Sequence, residues 1–442
     1  MAGAPVRSPA QGGRAVSGLS EAHARRICAE ADRRFDAELE FIKDLVRFPS
    51  LREHERAAQD FMAEAFRARG LEVDRWKIDV EALKRHPGAS PVASPYAEAY
   101  NVVGTYRAER NDGRSLILNG HIDVVPAGPV HRWCSPPFEP QVRGGRLYGR
   151  GAGDMKAGIG AMLFAYDAVR SAGLAPRGRI HLQSVVEEEC TGNGAFACLL
   201  RGYTADAAII PEPVGEELTR ANMGLLWLKI TVPGDPAHAS GAYSAGVNAI
   251  ERGWLIWQRL KALEARWNEE RGEHPHYCDH AHPVRINLGR MQGGEWVSSV
   301  PAECVLEVRA GLYPEWSVER GKAEIEQAIA EACALDPALP PAAVEYHGFH
   351  NGGYILAPGG DAEAALGAAH KRVCGEPLKA CASTASTDSR ILGVFGSIPS
   401  LVYGPACTGA HGIDEYVDIE SVRRVTKTIA LFIADWCGVA ET

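Results

Sequence analysis

The sequence lacks an apolar run of about 18 residues, which is the length that a helix needs to cross a lipid bilayer. It also lacks a cluster of lysine and arginine residues, and its net charge is −9 with an isoelectric point near 6.0. Proteins that bind nucleic acids concentrate basic charge on one surface. We therefore predict a protein that neither spans a membrane nor takes a nucleic acid as its partner.

Cysteines spaced for a disulfide framework or a thiolate metal site are absent too. The 11 cysteines are odd in number and scattered, with no CxxC pair. Such thiols are typical of the reducing cytosol, so we expect a cytoplasmic protein. Residues 1–19 lack the apolar segment of a signal peptide and are rich in small residues and proline, which predicts a disordered arm.

The length of 442 residues favours two domains, because a single hydrophobic core rarely grows that large. Strand and helix patterns alternate over residues 20–220, beginning with a helix that Ser20 can cap, and the alternation resumes over 349–442. Residues 221–348 show the order β-α-β-β-α-β, which is typical of a ferredoxin-like domain. We predict an α/β domain in two parts, with this α+β domain inserted between them.

Two apolar strands of the segment 179–213 end in acidic residues. These are Glu187, Glu188 and Glu189 after the first strand, and Glu212 after the second. Clefts in open α/β sheets lie at the carboxyl ends of strands. Neighbouring carboxylates there repel one another and lose hydration unless cations or protons compensate. The segment therefore predicts a site that binds cations.

Three other segments place candidate ligands after strands or in glycine-rich turns. His121 and Asp123 lie two residues apart after a strand, so they share a face, and the carboxylate can fix the imidazole tautomer for metal binding. A hydrogen-bonded pair without a metal explains the same spacing. Asp154 lies in a glycine-rich loop before a helix, where it is either a ligand or a helix N-cap. His411 follows the last strand and its Gly-Pro stop.

Together these segments supply two imidazoles and three carboxylates, namely His121, His411, Asp154, Glu189 and Glu212. This donor set suits zinc, with cobalt or manganese possible. Two dications would balance three carboxylates and one hydroxide, whereas a single ion would leave the site too acidic. The sequence therefore favours two metal ions. A histidine- and cysteine-rich segment, 274–282, forms either a further metal site or an exposed loop.

The order of these motifs resembles the dinuclear zinc amidohydrolase family of acetylornithine deacetylase, succinyl-diaminopimelate desuccinylase, aminoacylase and glutamate carboxypeptidase. The matching segments are Gly-His-Ile-Asp-Val-Val-Pro at 120–126, Gly-Arg-Gly-Ala-Gly-Asp-Met-Lys-Ala-Gly at 149–158, Glu-Glu-Glu at 187–189, Pro-Glu-Pro at 211–213, Ala-His-Ala-Ser at 237–240, and Gly-Pro at 404–405 with His411 and Glu415. The resemblance spans roughly residues 20–440. It implies a zinc-peptidase-like domain, with a mixed central sheet flanked by helices, and an inserted dimerisation or lid domain.

The resemblance also implies which residue holds which metal ion. His121 and Glu212 would hold one zinc ion. Glu189 and His411 would hold the other. Asp154 would bridge the two ions, and the peptide bond after it would be cis.

Three further residues have implied roles in catalysis. Asp123 would orient His121, and Glu188 would be the general base that takes a proton from the attacking water and passes it to the leaving nitrogen. His238, in the inserted domain, would reach the active site of a second subunit and help to hold the oxyanion. The resemblance therefore implies a homodimer formed through the inserted domain.

Substrate contacts are less well defined by the resemblance. Arg309 matches an arginine that grips a substrate carboxylate, and Arg390 is a second candidate; a surface ion pair is the alternative for each. Ser298 stands where the family often has an asparagine that contacts substrate. The acid before the two glutamates is Glu187, where the family often has aspartate.

The leading hypothesis is a metal-dependent deacylase that cleaves the amide bond of a small N-acylated amino acid or related amine. An amidohydrolase that removes a formyl group from a non-amino-acid amide, such as an N-formyl aminopyrimidine, is the first alternative. A dipeptidase or carboxypeptidase is the second. An inactive binding protein on the same fold is a remote alternative, because every ligand and the base are present.

Overall fold

The computed structural model describes residues 18–92 and 94–442, so the arm predicted at 1–19 lies outside the described residues except for its last two. The described helices are α1 (Glu21–Val46), α2 (Arg56–Arg67), α3 (Val80–Lys84), α4 (Ala157–Ser171), α5 (Asn193–Leu200), α6 (Ala249–Glu269), α7 (Val318–Cys333), α8 (Asp361–Cys374) and α9 (Ile419–Cys437). None of them is long and apolar enough to cross a lipid bilayer.

The strands of the same residues form four sheets. They are β1 (Glu72–Lys77), β2 (Tyr100–Tyr106), β3 (Leu116–His121), β4 (Gln141–Arg143), β5 (Arg146–Tyr148), β6 (Leu174–Pro176), β7 (Ile180–Val185), β8 (Ala207–Ile210), β9 (Leu218–Asn222), β10 (Gly224–Pro233), β11 (Ile286–Gly293), β12 (Glu303–Leu312), β13 (Ala343–Asn351), β14 (Tyr354–Ile355), β15 (Ala380–Ser383), β16 (Ser400–Val402), β17 (Cys407–Thr408), β18 (Tyr416–Asp418) and β19 (Val439–Glu441).

The largest sheet has nine strands and is mixed. Its order is β1-β2-β7-β3-β8-β16-β9-β14, with β15 paired to β9. The four central strands β7, β3, β8 and β16 run parallel to one another. The strands outside them add antiparallel pairs, except that β15 runs parallel to β9. The carboxyl ends of the four parallel strands therefore meet at one edge of the sheet.

Helices α1, α4 and α9 pack against one another beside this sheet. The α4 stripe of apolar residues, including Ile159, Met162 and Leu163, is fully buried in the main hydrophobic core. Helix α1 begins as the sequence predicts, because the Ser20 hydroxyl accepts a hydrogen bond from the His23 amide at 3.1 Å. This packing fixes the start of α4, which carries the glycine-rich loop of the site.

A second sheet of four strands has the order β11-β12-β10-β13 and is antiparallel throughout. With α6 and α7 it gives the chain order β-α-β-β-α-β and the strand order 2-3-1-4, which is the ferredoxin-like arrangement predicted from the sequence. It has its own hydrophobic core, built around Trp267, Leu228 and Leu306. We refer to these elements as the lid; the domain bounds at 221 and 348 stay a prediction.

Candidate metal centre

The four parallel strands deliver candidate ligands to the same edge of the sheet. Strand β3 ends at His121 itself. Strand β7 leads into Glu188 and Glu189, and β8 leads into Glu212. Strand β16 leads through Gly404 and Pro405 into the loop that carries His411. The strand-end rule thus accounts for every ligand candidate except Asp154.

Asp154 comes from the glycine-rich turn that precedes α4, and Glu415 holds that turn in place. The Glu415 carboxylate pairs with the buried Arg150 and accepts the backbone amides of Gly153 at 3.0 Å and Asp154 at 3.1 Å. The Asp154–Met155 peptide bond is cis, as the resemblance implies. A Cβ at Gly158 would lie 2.1 Å from the Pro211 carbonyl oxygen, so only glycine lets α4 approach the turn before Glu212 this closely.

The two histidines lie on opposite sides of Asp154. Its Oδ1 is 3.1 Å from Nε2 of His121, and its Oδ2 is 3.4 Å from Nε2 of His411. His121 Nε2 is also 3.8 Å from Glu212 Oε1, while His411 Nε2 is 3.0 Å from Glu189 Oε2. One carboxylate with an oxygen toward each imidazole is the arrangement that a bridging ligand needs.

Asp123 serves this centre in a different way from the one expected. The Nδ1 atom of His121 is 2.9 Å from the backbone carbonyl of Asp123, whereas the Asp123 carboxylate is 3.7 Å away. A proton on Nδ1 leaves Nε2 free to face a metal ion. The carboxylate instead accepts the backbone amides of Glu188 at 3.4 Å and Glu189 at 3.1 Å. Asp123 thus positions both the imidazole and the turn that carries the base.

Burial and crowding perturb the acids and bases of this centre. Burial opposes charge on His121, but Glu212, Asp154 and Glu188 raise its pKa well above the usual value. Burial likewise opposes charge on His411, yet Glu189 and Asp154 raise its pKa to about 10. Burial raises the pKa of Glu188 well above its usual value, and the nearby Glu212 adds to this while His121 opposes it. The carboxylates around the two imidazoles repel one another, so a bound cation would stabilise this site.

Glu187 points away from the metal-ligand candidates. Its carboxylate accepts hydrogen bonds from Arg52 Nη2 at 2.8 Å, Tyr96 Oη at 2.7 Å and Thr191 Oγ1 at 3.0 Å. It therefore supports the turn between β7 and α5. Sequence patterns did not reveal Arg52 and Tyr96, because their contacts with Glu187 span 135 and 91 residues of chain.

His238 and Ser298 lie together on the lid, away from these ligands. The Ala239 amide donates to the Ser298 carbonyl at 3.0 Å, and the backbone of His238 pairs with that of Ser299 in an isolated antiparallel β-bridge. The exposed His238 ring lies 2.7 Å from Ser240 Oγ; in the part of the chain that the structure describes, it has no contact with the metal-ligand candidates. The structure thus does not bring His238 to the centre of its own subunit.

The two candidate arginines differ in accessibility. Arg309 is half-buried on the lid, its Nη2 is 3.5 Å from the Thr384 carbonyl, and burial lowers its pKa. Arg390 is almost fully buried, with Nη2 donating to the Thr191 carbonyl at 2.9 Å. Neighbouring Asp388, which sequence reasoning missed, is buried too, and burial raises its pKa to about 7.

The histidine-rich segment 274–282 does not form a second metal cluster among the described residues. Among the described residues, each group of three side chains that could hold a metal ion includes His121. Its partners are Glu188 and Glu212 in one group, and Asp154 and Glu189 in the other. His274 instead stacks on Tyr313 at a ring-centroid distance of 3.6 Å. Its Nδ1 lies 2.9 Å from Glu315, so the ring is a packed structural residue.

Comparisons with known proteins agree with this geometry. The model of peptidase family M20/M25/M40 matches residues 117–435. The chain is 29% identical over 440 residues to the N-formyl-4-amino-5-aminomethyl-2-methylpyrimidine deformylase of Halalkalibacterium halodurans, covering 94% of this chain and 98% of that protein. It is 27% identical over 412 residues to the succinyl-diaminopimelate desuccinylase of Alkalilimnicola ehrlichii, covering 88% and 97%.

A solved structure shows the same fold. The dipeptidase Dug1p of Saccharomyces cerevisiae superposes with a TM-score of 0.78 at 15% identity, covering 95% of this chain and 99% of that one. The family resemblance and the fold class predicted from the motifs are thereby confirmed. The chain belongs to peptidase family M20/M25/M40 and is a metal-dependent hydrolase of amide bonds.

Proposed function

We propose that the protein removes the acyl group from a small N-acylated amino acid or related amine by hydrolysis, at a centre whose residues would hold two metal ions. The observation that carries this proposal is the placement of Asp154, with one oxygen toward His121 and the other toward His411. A deacylase needs this arrangement beside a free carboxylate base. Glu188 supplies that carboxylate, with Oε2 at 3.9 Å from His121 Nε2.

The donor set fits two zinc ions per subunit, with cobalt or manganese as substitutes. His121 and Glu212 would hold one ion, Glu189 and His411 the other, and Asp154 both. When bound, such ions lower the pKa of a water molecule toward about 7 and polarise the amide carbonyl.

Glu188 then performs the proton transfers. It takes a proton from the attacking water and gives that proton to the leaving nitrogen, so the amine departs neutral. Its backbone amide is held by Asp123, which keeps the carboxylate beside His121.

The remaining predicted residues belong to substrate binding and assembly. Arg309, Arg390 and Ser298 would contact the part of the substrate beyond the scissile bond. Within the described residues, Arg309 has no carboxylate partner, and Arg390 has one buried nitrogen, Nη1, without a hydrogen bond. His238 would stabilise the oxyanion in the partner subunit, since it lies away from its own centre.

A homodimer through the lid is the assembly that this role of His238 requires. Helix α6 exposes Ile250, Trp254 and Leu255, and β11 is an edge strand of the lid sheet. Exposed apolar side chains beside an unpaired strand edge are typical of an interface. We place the enzyme in the cytoplasm, because all 11 cysteines are free thiols.

Likeness to the Halalkalibacterium protein supports a second candidate, removal of a formyl group from an aminopyrimidine amide. Cleavage of dipeptides is a third candidate function. The likeness to the dipeptidase Dug1p, at 15% identity, shows the fold alone. A panel of N-formyl, N-acetyl, N-succinyl and dipeptide substrates, assayed with zinc, cobalt and manganese, tests the proposal. We expect turnover of at least one acyl amide; turnover of dipeptides alone, or of none, would contradict deacylation.

A further inference from the structure

A cavity of about 440 Å³ lies at the amino end of β7, at the edge of the central sheet opposite the metal centre. We call it the arginine cavity. Its charged and imidazole side chains belong to Glu72, Asp74, Arg107, Arg179, His181 and Arg201. His181 is the second residue of β7, whereas Glu188 and Glu189 follow the end of that strand. Since a strand rises about 3.3 Å per residue, roughly 15 Å or more separate the arginine cavity from the metal-ligand candidates.

Two of these arginines face each other across neighbouring strands. Thr105 of β2 pairs with His181 of β7 in an antiparallel register, so Arg107 and Arg179, two residues farther along, lie opposite each other on the same face. Burial and the charges of Arg179 and Arg107 lower the pKa of His181 to about 4, so both guanidinium groups act on its ring. Like charges at directly opposed positions repel each other. A group with negative charge between them would remove this repulsion.

The carboxylates of the arginine cavity do not balance its arginines. Glu72 accepts hydrogen bonds from Arg107 Nε at 2.5 Å and Nη2 at 3.2 Å. Asp74 accepts hydrogen bonds from Arg201 Nε at 2.6 Å and Nη2 at 3.0 Å. In the part of the chain that the structure describes, Arg179 has no ion pair, and its Nη2 donates only to a backbone carbonyl, at 3.3 Å. With the imidazole neutral, three arginines against two carboxylates leave one positive charge in excess.

Two donor atoms beside the cavity lack a protein partner. His181 is 5% exposed, and its Nδ1 lies 2.9 Å from Thr105 Oγ1. With the Thr105 hydroxyl donating to Nδ1, the proton of the neutral ring is on Nε2. Neither this Nε2 nor Nη1 of Arg179 has a hydrogen-bond partner among the described residues, and neither is one of their fully buried polar atoms. Both atoms can therefore donate to a ligand in the cavity that their side chains line.

We propose that the arginine cavity binds the carboxylate group of a small organic anion, held by Arg107, Arg179 and Nε2 of His181. Guanidinium groups form strong, charge-assisted hydrogen bonds with carboxylates, and one negative charge cancels the excess of the cavity. A phosphate group carries about two negative charges and would overbalance the cavity beside Glu72 and Asp74. Hydrolysis of an amide releases a carboxylic acid, so the reaction of this family supplies ligands of this class. The inference does not depend on which amide is cleaved.

The ring of His181 reports binding in this cavity separately from binding of carboxylates to metal ions. NMR spectra of the zinc-loaded full chain with isotope-labelled histidine follow this ring, whose resonance is assigned by its loss in His181→Gln. Butyrate, added near neutral pH at constant ionic strength with chloride as the balancing anion, should shift the resonance in a saturable way. Butylammonium, which matches butyrate in size but is positively charged, should not shift it. Phosphate should bind more weakly than butyrate.

Variants of Arg179 test the proposed contact. Arg179→Gln removes the excess charge and a donor, so it should weaken butyrate binding at least about tenfold. Arg179→Lys keeps the charge but not the planar fork, and it should weaken binding about threefold. The matched control is Arg75→Gln, because Arg75 lies on β1 but pairs with Asp60 on the other face of the sheet. The control should bind butyrate as the wild type does.

Three results would overturn the proposal. They are the absence of a saturable shift of the His181 resonance with butyrate, the same affinity in Arg179→Gln as in the wild type, and tighter binding of phosphate than of butyrate. If Arg179→Gln fails to fold, a reduced affinity in Arg179→Lys supports the proposal and an unchanged one overturns it. None of these measurements uses turnover, so a failure of the proposed deacylation would leave them intact.

Discussion

At the scale of single residues, three consecutive glutamates have different chemistry because their neighbours differ. Glu187 is paired with Arg52. Glu189 faces His411 at 3.0 Å. Glu188 is left buried beside His121, and its pKa is raised. Position relative to cationic side chains, not residue type, would therefore separate the proposed support, ligand and base.

The raised pKa values of His121 and His411 make a prediction about metal binding. Carboxylates raise the pKa of both imidazoles, that of His411 to about 10, so we expect the metal-free protein to carry protons on these rings that a metal ion must displace. A metal ion needs the neutral ring, so binding must release protons and must tighten as pH rises. Calorimetry of zinc binding at pH 7 in two buffers of different ionisation enthalpy should show proton release. His411→Asn should release about one proton fewer, and zinc binding without proton release would contradict the account.

At the scale of elements, the site depends on how helices and loops hold the strand ends. Helix α4 approaches the turn before Glu212 through Gly158, and Glu415 ties the Asp154 turn to the loop before β18. Helix α1 packs on α4 and α9, where Glu38 accepts a hydrogen bond from Thr426 at 2.6 Å. Stability of this helical layer is therefore linked to the ionisation of one buried acid.

Glu38 makes this link measurable. Burial raises its pKa from 4.5 to about 8 in the folded protein. Its protonated form is favoured by folding, so this stability is fully present below pH 4.5 and is lost as pH rises through about 8. Glu38→Gln keeps an acceptor for Thr426 and stays neutral, so above pH 8 it should be more stable than the wild type by roughly 5 kcal/mol.

Denaturant unfolding at several pH values between 5 and 9 checks this difference, with exposed Glu40→Gln as the matched control on the same helix. The control should follow the wild type throughout. Parallel stability curves for Glu38→Gln and wild type would show that Glu38 ionises normally.

At the scale of the whole molecule, the proposed role of His238 would make each metal centre depend on the lid of a second copy of the chain. His238 lies on the paired loops of the lid, beside Tyr243, which is 90% exposed, and Val297, which is 99% exposed. Loops with exposed apolar side chains are stabilised when a partner chain covers those side chains. The proposed dimer would place His238 at the partner's centre and leave each active site incomplete in a monomer.

Mixed dimers test this sharing. Subunits with His238→Ala and subunits with Glu188→Ala should each be inactive alone. After exchange, half of the dimers are mixed and each has one complete site, so activity should return to about one quarter of the wild-type value. An absence of recovery, with heterodimers demonstrated by a tag on one subunit, would contradict the shared site.

Sequence reasoning brought the metal-ligand candidates together because they follow simple rules of chain geometry. His121, Glu189 and Glu212 follow apolar strands, and strands of a parallel sheet end at one edge. The place of Arg309 beside Trp227 was out of reach, since it depends on the register of β10 against β12. The burial of Arg390 depends likewise on the packing of segments far apart in the chain, and no local pattern reports it.

The most direct test of the central claim is metal content and turnover in Glu188→Ala, measured on the same preparation. The account predicts about two metal ions per subunit, as in the wild type, because Glu188 is not assigned as a ligand. Turnover of the best acyl amide should fall at least about 10²-fold, because Glu188 is the proposed carrier of the proton. Turnover near the wild-type value, or loss of a metal ion together with the carboxylate, would contradict the assignment of Glu188 as the base.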